Sequence, residues 1–94
     1  MNHKAVKKMY DRIHAKAFAH IPKPDLAIFP ALCGMYVGRG DLVVVVEEEH
    51  EGVGDLVDTL VHELCHAEQK AQKKAVADNA HHLKLVRKAW ERLI

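Results

Sequence analysis

Two imidazoles stand four residues apart in His62-Glu63-Leu64-Cys65-His66, with a carboxylate directly after the first. On a helix such positions lie one above the other on the same face, so both rings can approach one ion. Imidazole nitrogen binds zinc at about 2.0–2.1 Å, and a catalytic zinc takes three protein ligands and keeps one position open. Glu63 lies about 100° round the helix from His62, near such a metal but angled away from it. A general base for water belongs there, because zinc lowers the pKa of a bound water toward about 7 and the carboxylate can then take its proton. The chemistry this pattern points to is hydrolysis of a peptide bond.

The chain also holds eight histidines and seven glutamates, so composition alone can produce the pentapeptide. Both histidines fall on the polar arc of their helix, where solvated side chains are ordinary. A third ligand is therefore the deciding feature. His81 and His82 follow His66 by fifteen and sixteen residues, directly after a helix break at Asp78-Asn79. A short turn there returns the next helix over the first, with its opening turn near the pair. A helix N-terminus disfavours imidazolium and keeps a ring there in the neutral, metal-binding form. A carboxylate third ligand, Asp78 or Glu91, is the rival arrangement.

The elements that must position these groups can be read from periodicity. Val6, Met9, Ile13 and Ala17 recur at helical spacing, Asn2 can cap the start, and Pro22 with Pro24 stops continuation, which predicts a helix over 3–20. Residues 26–49 change to short β-branched runs, LAIF, CGMYV and LVVVV, with Gly38-Arg39-Gly40-Asp41 as a hairpin turn. If strand 42–46 lay at the sheet edge beside the site, it would bind extended substrate by strand addition. Asp55 can cap a second helix to about Ala77, burying Leu56, Val57, Leu60, Val61, Leu64, Ala67 and Ala71. A third helix runs from about Ala80 to the end with Leu83, Val86, Trp90 and Leu93 as its stripe. The expected class is α+β in one domain, 1–94: an N-terminal helix, a small two- or three-stranded antiparallel sheet, the motif helix and a C-terminal helix.

Composition narrows the class further. No apolar run approaches a membrane span, and the N-terminus lacks the apolar core of a signal peptide, so the expectation is a cytoplasmic chain that does not enter a membrane. Cys33 and Cys65 are too few for a disulfide framework and read as buried, reduced thiols. The net charge of +1 hides segregation: seven basic residues against two acids in 1–40, nine acids and no Lys or Arg in 41–69, seven against two in 70–94. Mutually attracting solvated faces account for this, and a basic surface that meets nucleic acid is the sharper alternative. Glu47, Glu48, Glu49 and Glu51 read as a solvated strand end, and His50, Tyr36 and His82 are candidates to stabilise an oxyanion.

LVDTLVHELCHAEQ followed by HHLKLVRKAW resembles the SprT-like metallopeptidases, the family of the Spartan proteases. The resemblance covers most of the chain, since a helix and a small sheet precede the motif in that family too. It implies a compact gluzincin-like peptidase core holding one Zn2+ through His62, His66 and His81, with Glu63 as catalytic acid/base and a protein or peptide as substrate. His82 stands where that family has glycine and Leu85 where it has a bulky aromatic. The family's C-terminal zinc ribbon has no counterpart in these residues. The expected function is thus a zinc-dependent metallopeptidase; the alternative is a zinc-stabilised binding module, nucleic-acid-associated, with little catalysis.

Overall fold

A helix begins at His3 because every third or fourth residue from Val6 is apolar, and it ends at Ala17, five residues before the first proline. In the computed structural model, which describes residues 3–29, 35–37, 42–46 and 53–94, this helix α1 (His3–Ala17) buries Val6, Tyr10, Ile13 and Ala17. Its last turn closes through Phe18 N–H on the His14 carbonyl, and the Tyr10 hydroxyl donates to the Pro24 carbonyl at 2.6 Å. That buried bond ties the helix to the segment entering the first strand.

Three short strands follow: β1 (Asp25–Phe29), β2 (Met35–Val37) and β3 (Leu42–Val46). β2 and β3 pair antiparallel, with Met35 opposite Val44, flanking the expected hairpin turn, whose residues 38–41 lie outside the described residues. The expectation of a wholly antiparallel sheet needs correction. β1 pairs β3 in parallel, with Ala27 against Val44, and the order is β1-β3-β2. Two chain reversals restore the direction of β1, and the unbroken β-branched run of β3 suits the middle position, where both sides are paired. Among the described residues β3 is therefore not an edge strand, which removes the premise of the strand addition expected above.

The motif helix α2 spans Val53–Ala71 and the last helix α3 spans Ala80–Leu93, so most described residues are helical. α2 stops six residues earlier than periodicity predicts. Lys73 takes a left-handed conformation, φ 57°, its N–H returning to the Lys70 carbonyl while Lys74 N–H reaches the Gln69 carbonyl. Those two bonds close the helix end in the pattern usually built on glycine. The chain then turns back through 72–79, and Asn79 caps α3 by accepting from His82 N–H at 2.9 Å.

The core gathers Val6, Tyr10, Ile13 and Phe18 with Val43, Leu56, Leu60, Val61, Leu64, Cys65, Leu85 and Ala89. α3 is rotated from its expected face: Leu83 is half exposed, whereas His82, Leu85 and Ala89 are buried. The side chains at 82, 85 and 89 follow the helical repeat, with Val86, Trp90 and Leu93 packed beside them. The C-terminal half of α2 is covered on its polar side too, so Glu63, His66, Glu68 and Gln69 are all buried rather than solvated. Among the described residues, no helix is long and apolar enough to cross a membrane.

Candidate metal centre

α2 presents His62 and His66 on one face, as the four-residue spacing requires, with ring centroids 4.9 Å apart. α3 crosses that face with its first turn. Its third residue, His82, stacks on His66 at 4.1 Å between centroids and meets His62 edge-on at 4.4 Å. The turn preceding α3 brings in Asp78, whose Oδ1 lies 2.9 Å from His66 Nε2 and 3.2 Å from His62 Nε2. His82 Nδ1 is 3.9 Å from the same oxygen. One ligand atom from each of His62, His66, Asp78 and His82 fits within 4.8 Å of all the others. Three imidazoles and a carboxylate are a donor set suited to zinc.

His81, expected as the third member, stands apart from this group. Its Nε2 lies 2.9 Å from Gln72 Oε1, on the outer side of the first turn of α3. Neighbouring residues on a helix point about 100° apart, so only one of two adjacent histidines can face α2. The apolar residues decide which: Leu85 and Ala89 are buried in the core, and His82 lies three and seven residues before them on the same face. A reading of the stripe as 82-85-89 rather than 83-86-90 would have found His82 from sequence. Of the carboxylates named as rivals, Asp78 joins the cluster, and Glu91 is absent from it.

Hydrogen bonds settle which nitrogen His82 and His66 turn inward. His82 Nε2 donates to the His62 carbonyl at 3.0 Å, leaving Nδ1 as the inward nitrogen. His66 Nδ1 lies 2.8 Å from Gln69 Oε1. Gln69 is fully buried, and its amide orientation follows from its partners: Oε1 accepts Ala77 N–H, while Nε2 donates to the Ala77 carbonyl and to Asn79 Oδ1. Because that oxygen accepts, His66 Nδ1 must donate, and Nε2 is free to coordinate. Gln69, three residues beyond the motif, is invisible at the level of sequence, because a glutamine on a helix carries no ligand signal of its own. Outer partners of this kind orient metal-binding histidines.

Electrostatics separate the groups. Burial, helped by the neighbouring His82 and His66, holds the His62 imidazole below its ordinary pKa and so in the neutral form. Burial also pushes the Glu63 carboxyl up to about 7; His66 opposes that rise and Asp78 adds to it. Glu63 is thus a buried carboxyl beside the histidines, with a proton affinity near neutrality in the metal-free protein. The Cys65 thiol, completely buried on the apolar arc, is pushed up to about 12 by that burial and by Glu68, which makes it an inert core residue as expected. Cys33, His50 and the glutamates Glu47, Glu48, Glu49 and Glu51 lie outside the described residues, as does the Tyr36 side chain.

Compared with family models, curated proteins and solved structures, the chain matches none of them.

Proposed function

We propose that this chain is a zinc metallopeptidase in which His62, His66 and His82 hold one zinc ion and Glu63 serves as general base, acting on an extended polypeptide. The observation that carries the reading is the convergence of three inward imidazole nitrogens from two helices, with a buried carboxyl one residue from the first. It fits an α+β core of the SprT-like kind, which the motif and the order of elements resemble, with His82 in place of His81.

Bound there, zinc would polarise the scissile carbonyl and make a water acidic enough to deprotonate near neutral pH. The residues supply everything else. Glu63 takes the proton from the attacking water and, once protonated, delivers it to the departing amine, so one carboxyl serves both halves of the reaction. Its raised pKa suits that exchange, because a base poised near the working pH both accepts and returns a proton readily. His66 is held in orientation by Gln69, and His82 by the carbonyl of His62. His62 is about half exposed, which leaves the cluster open to a polymer on that side.

Replacing Glu63 by Gln should abolish cleavage of an unfolded protein such as casein while the purified protein still contains one zinc per chain. Undiminished cleavage by that variant would remove Glu63 from the mechanism.

One observation favours a second reading, a zinc-stabilised binding module. Asp78 offers a fourth protein donor, and a zinc that keeps four protein ligands permanently is structural. In that case α1, which exposes Lys4, Lys7, Lys8 and Arg12, is the surface that would meet nucleic acid. Zinc-dependent folding, salt-sensitive DNA binding and no cleavage of any protein by wild type would select it.

A further inference from the structure

Asp78 is the most exposed member of the cluster: its side chain is 72% exposed, against 45% for His62, 10% for His66 and 7% for His82. It caps the cluster from solvent. The same oxygen, Oδ1, faces all three rings, at 2.9, 3.2 and 3.9 Å. In tetrahedral zinc coordination, ligand atoms about 2.0 Å from the ion are about 3.3 Å from one another, and these separations bracket that value.

The hydrogen bonds sharpen the point. His66 gives its Nδ1 proton to Gln69, and His82 gives its Nε2 proton to the His62 carbonyl. The nitrogens left facing the Asp78 oxygen are thus His66 Nε2, at 2.9 Å, and His82 Nδ1, at 3.9 Å. A shared cation would turn these approaches into coordinate bonds. The backbone around Asp78 is held for this purpose on both sides. Gln69 grips Ala77 through both its N–H and its carbonyl, and Asn79 is fastened to Gln69 and to His82 N–H. The side chain of Asp78 is left as the movable part of a fixed turn.

We propose that Asp78 is a fourth protein ligand of the metal, closing the coordination shell on its solvent side so that hydrolysis begins only when this carboxylate gives way. The inference rests on the zinc reading above and deepens it. A shell of three histidines and Asp78 has no position for water or substrate, so the resting protein is latent. As the most exposed of the four side chains, it is the one that can leave with least disturbance of the packing. An extended substrate arriving over His62 would displace it.

The test uses the full chain loaded with Co2+, whose visible absorption reports ligand number and type. Wild type, Asp78→Ala and Asp78→Asn are titrated with cobalt and their spectra compared. The expected result is one ion per wild-type chain with an intense four-coordinate spectrum, and affinity about tenfold weaker or worse in Asp78→Ala. Acetate at millimolar concentration should return the Asp78→Ala spectrum toward wild type by supplying the missing carboxylate. Asp78→Asn, which keeps the shape and loses the charge, should fall between the two. With saturating zinc, Asp78→Ala should also cleave casein faster than wild type. Identical spectra and affinities in all three proteins would overturn the proposal while leaving the three-histidine zinc site intact. Slower cleavage by Asp78→Ala would overturn the latency. Failure of wild type to take up cobalt or zinc at all would instead sink the zinc reading itself, and this inference with it.

Discussion

Gln69 Oε1 accepts the proton of His66 Nδ1 at 2.8 Å from a position with no solvent exposure at all. The same side chain holds the turn at Ala77 and the helix cap at Asn79. One residue thereby orients a ring of the histidine cluster on α2 and fixes the segment that delivers Asp78 and His82. Coupling these two tasks makes the cluster's geometry depend on a residue that is not itself one of its members.

Gln69→Leu should accordingly do two things. It should weaken zinc binding by about tenfold to a hundredfold, the usual cost of losing an outer partner of a metal-binding histidine. It should also destabilise the metal-free protein by about 1–3 kcal/mol, because the buried His66 ring and the Ala77 backbone lose their partners. Chelator competition reads the first and urea denaturation the second. Unchanged zinc affinity would reduce Gln69 to a packing role.

The two adjacent histidines should behave oppositely. His82→Ala should lose zinc, with affinity reduced about a hundredfold or more, since it removes an inward nitrogen. His81→Ala should stay within about threefold of wild type, as His81 Nε2 is engaged with Gln72. Metal content after dialysis against a weak chelator distinguishes them, and the reverse outcome would restore the arrangement expected from the family resemblance.

The Glu63 carboxyl predicts a pH signature in metal-free protein. Its pKa is raised to about 7 in the fold from an ordinary 4.5, so between these values the folded state binds more protons than the unfolded state. Stability contributed by this group is then greatest in acid, falls as pH rises through that window, and is level above it. Glu63→Gln has no such group. At pH 8 the metal-free variant should be more stable than wild type by about 1 kcal/mol after screening, and the gap should close toward pH 4.5. Denaturant midpoints of both proteins across pH 4–9 would show this, and a constant gap would refute it.

Lys73 offers a test of the turn. A side chain at φ 57° carries a steric cost that glycine avoids. Lys73→Gly should therefore stabilise the fold by about 0.5–1 kcal/mol, with zinc affinity unchanged, as read by thermal denaturation and chelator competition. A loss of stability would mean that Lys73 makes contacts worth more than its backbone strain.

Much of this arrangement follows from local pattern. The stripe of α1 is legible because Val6, Ile13 and Ala17 recur at a period no strand shares, and the structure buries those residues. The leucines of α2 are legible for the same reason, and the four-residue spacing of His62 and His66 dictates a shared face wherever a helix forms. The end of α2 was not legible, because it is made by a lysine in a left-handed conformation where glycine is the usual signal.

Local pattern is enough for the helices, a strand-rich middle and a histidine pair four residues apart on one face. The central place of β3, the approach of His82 rather than His81 to His62 and His66, the entry of Asp78 into the cluster and the bracing of His66 by Gln69 appear only in the folded chain. The reason is one of range. Spacing along a helix is set by the backbone within a few residues, whereas strand order, the rotation of α3 and the partners of a buried amide depend on which distant surfaces exclude water together.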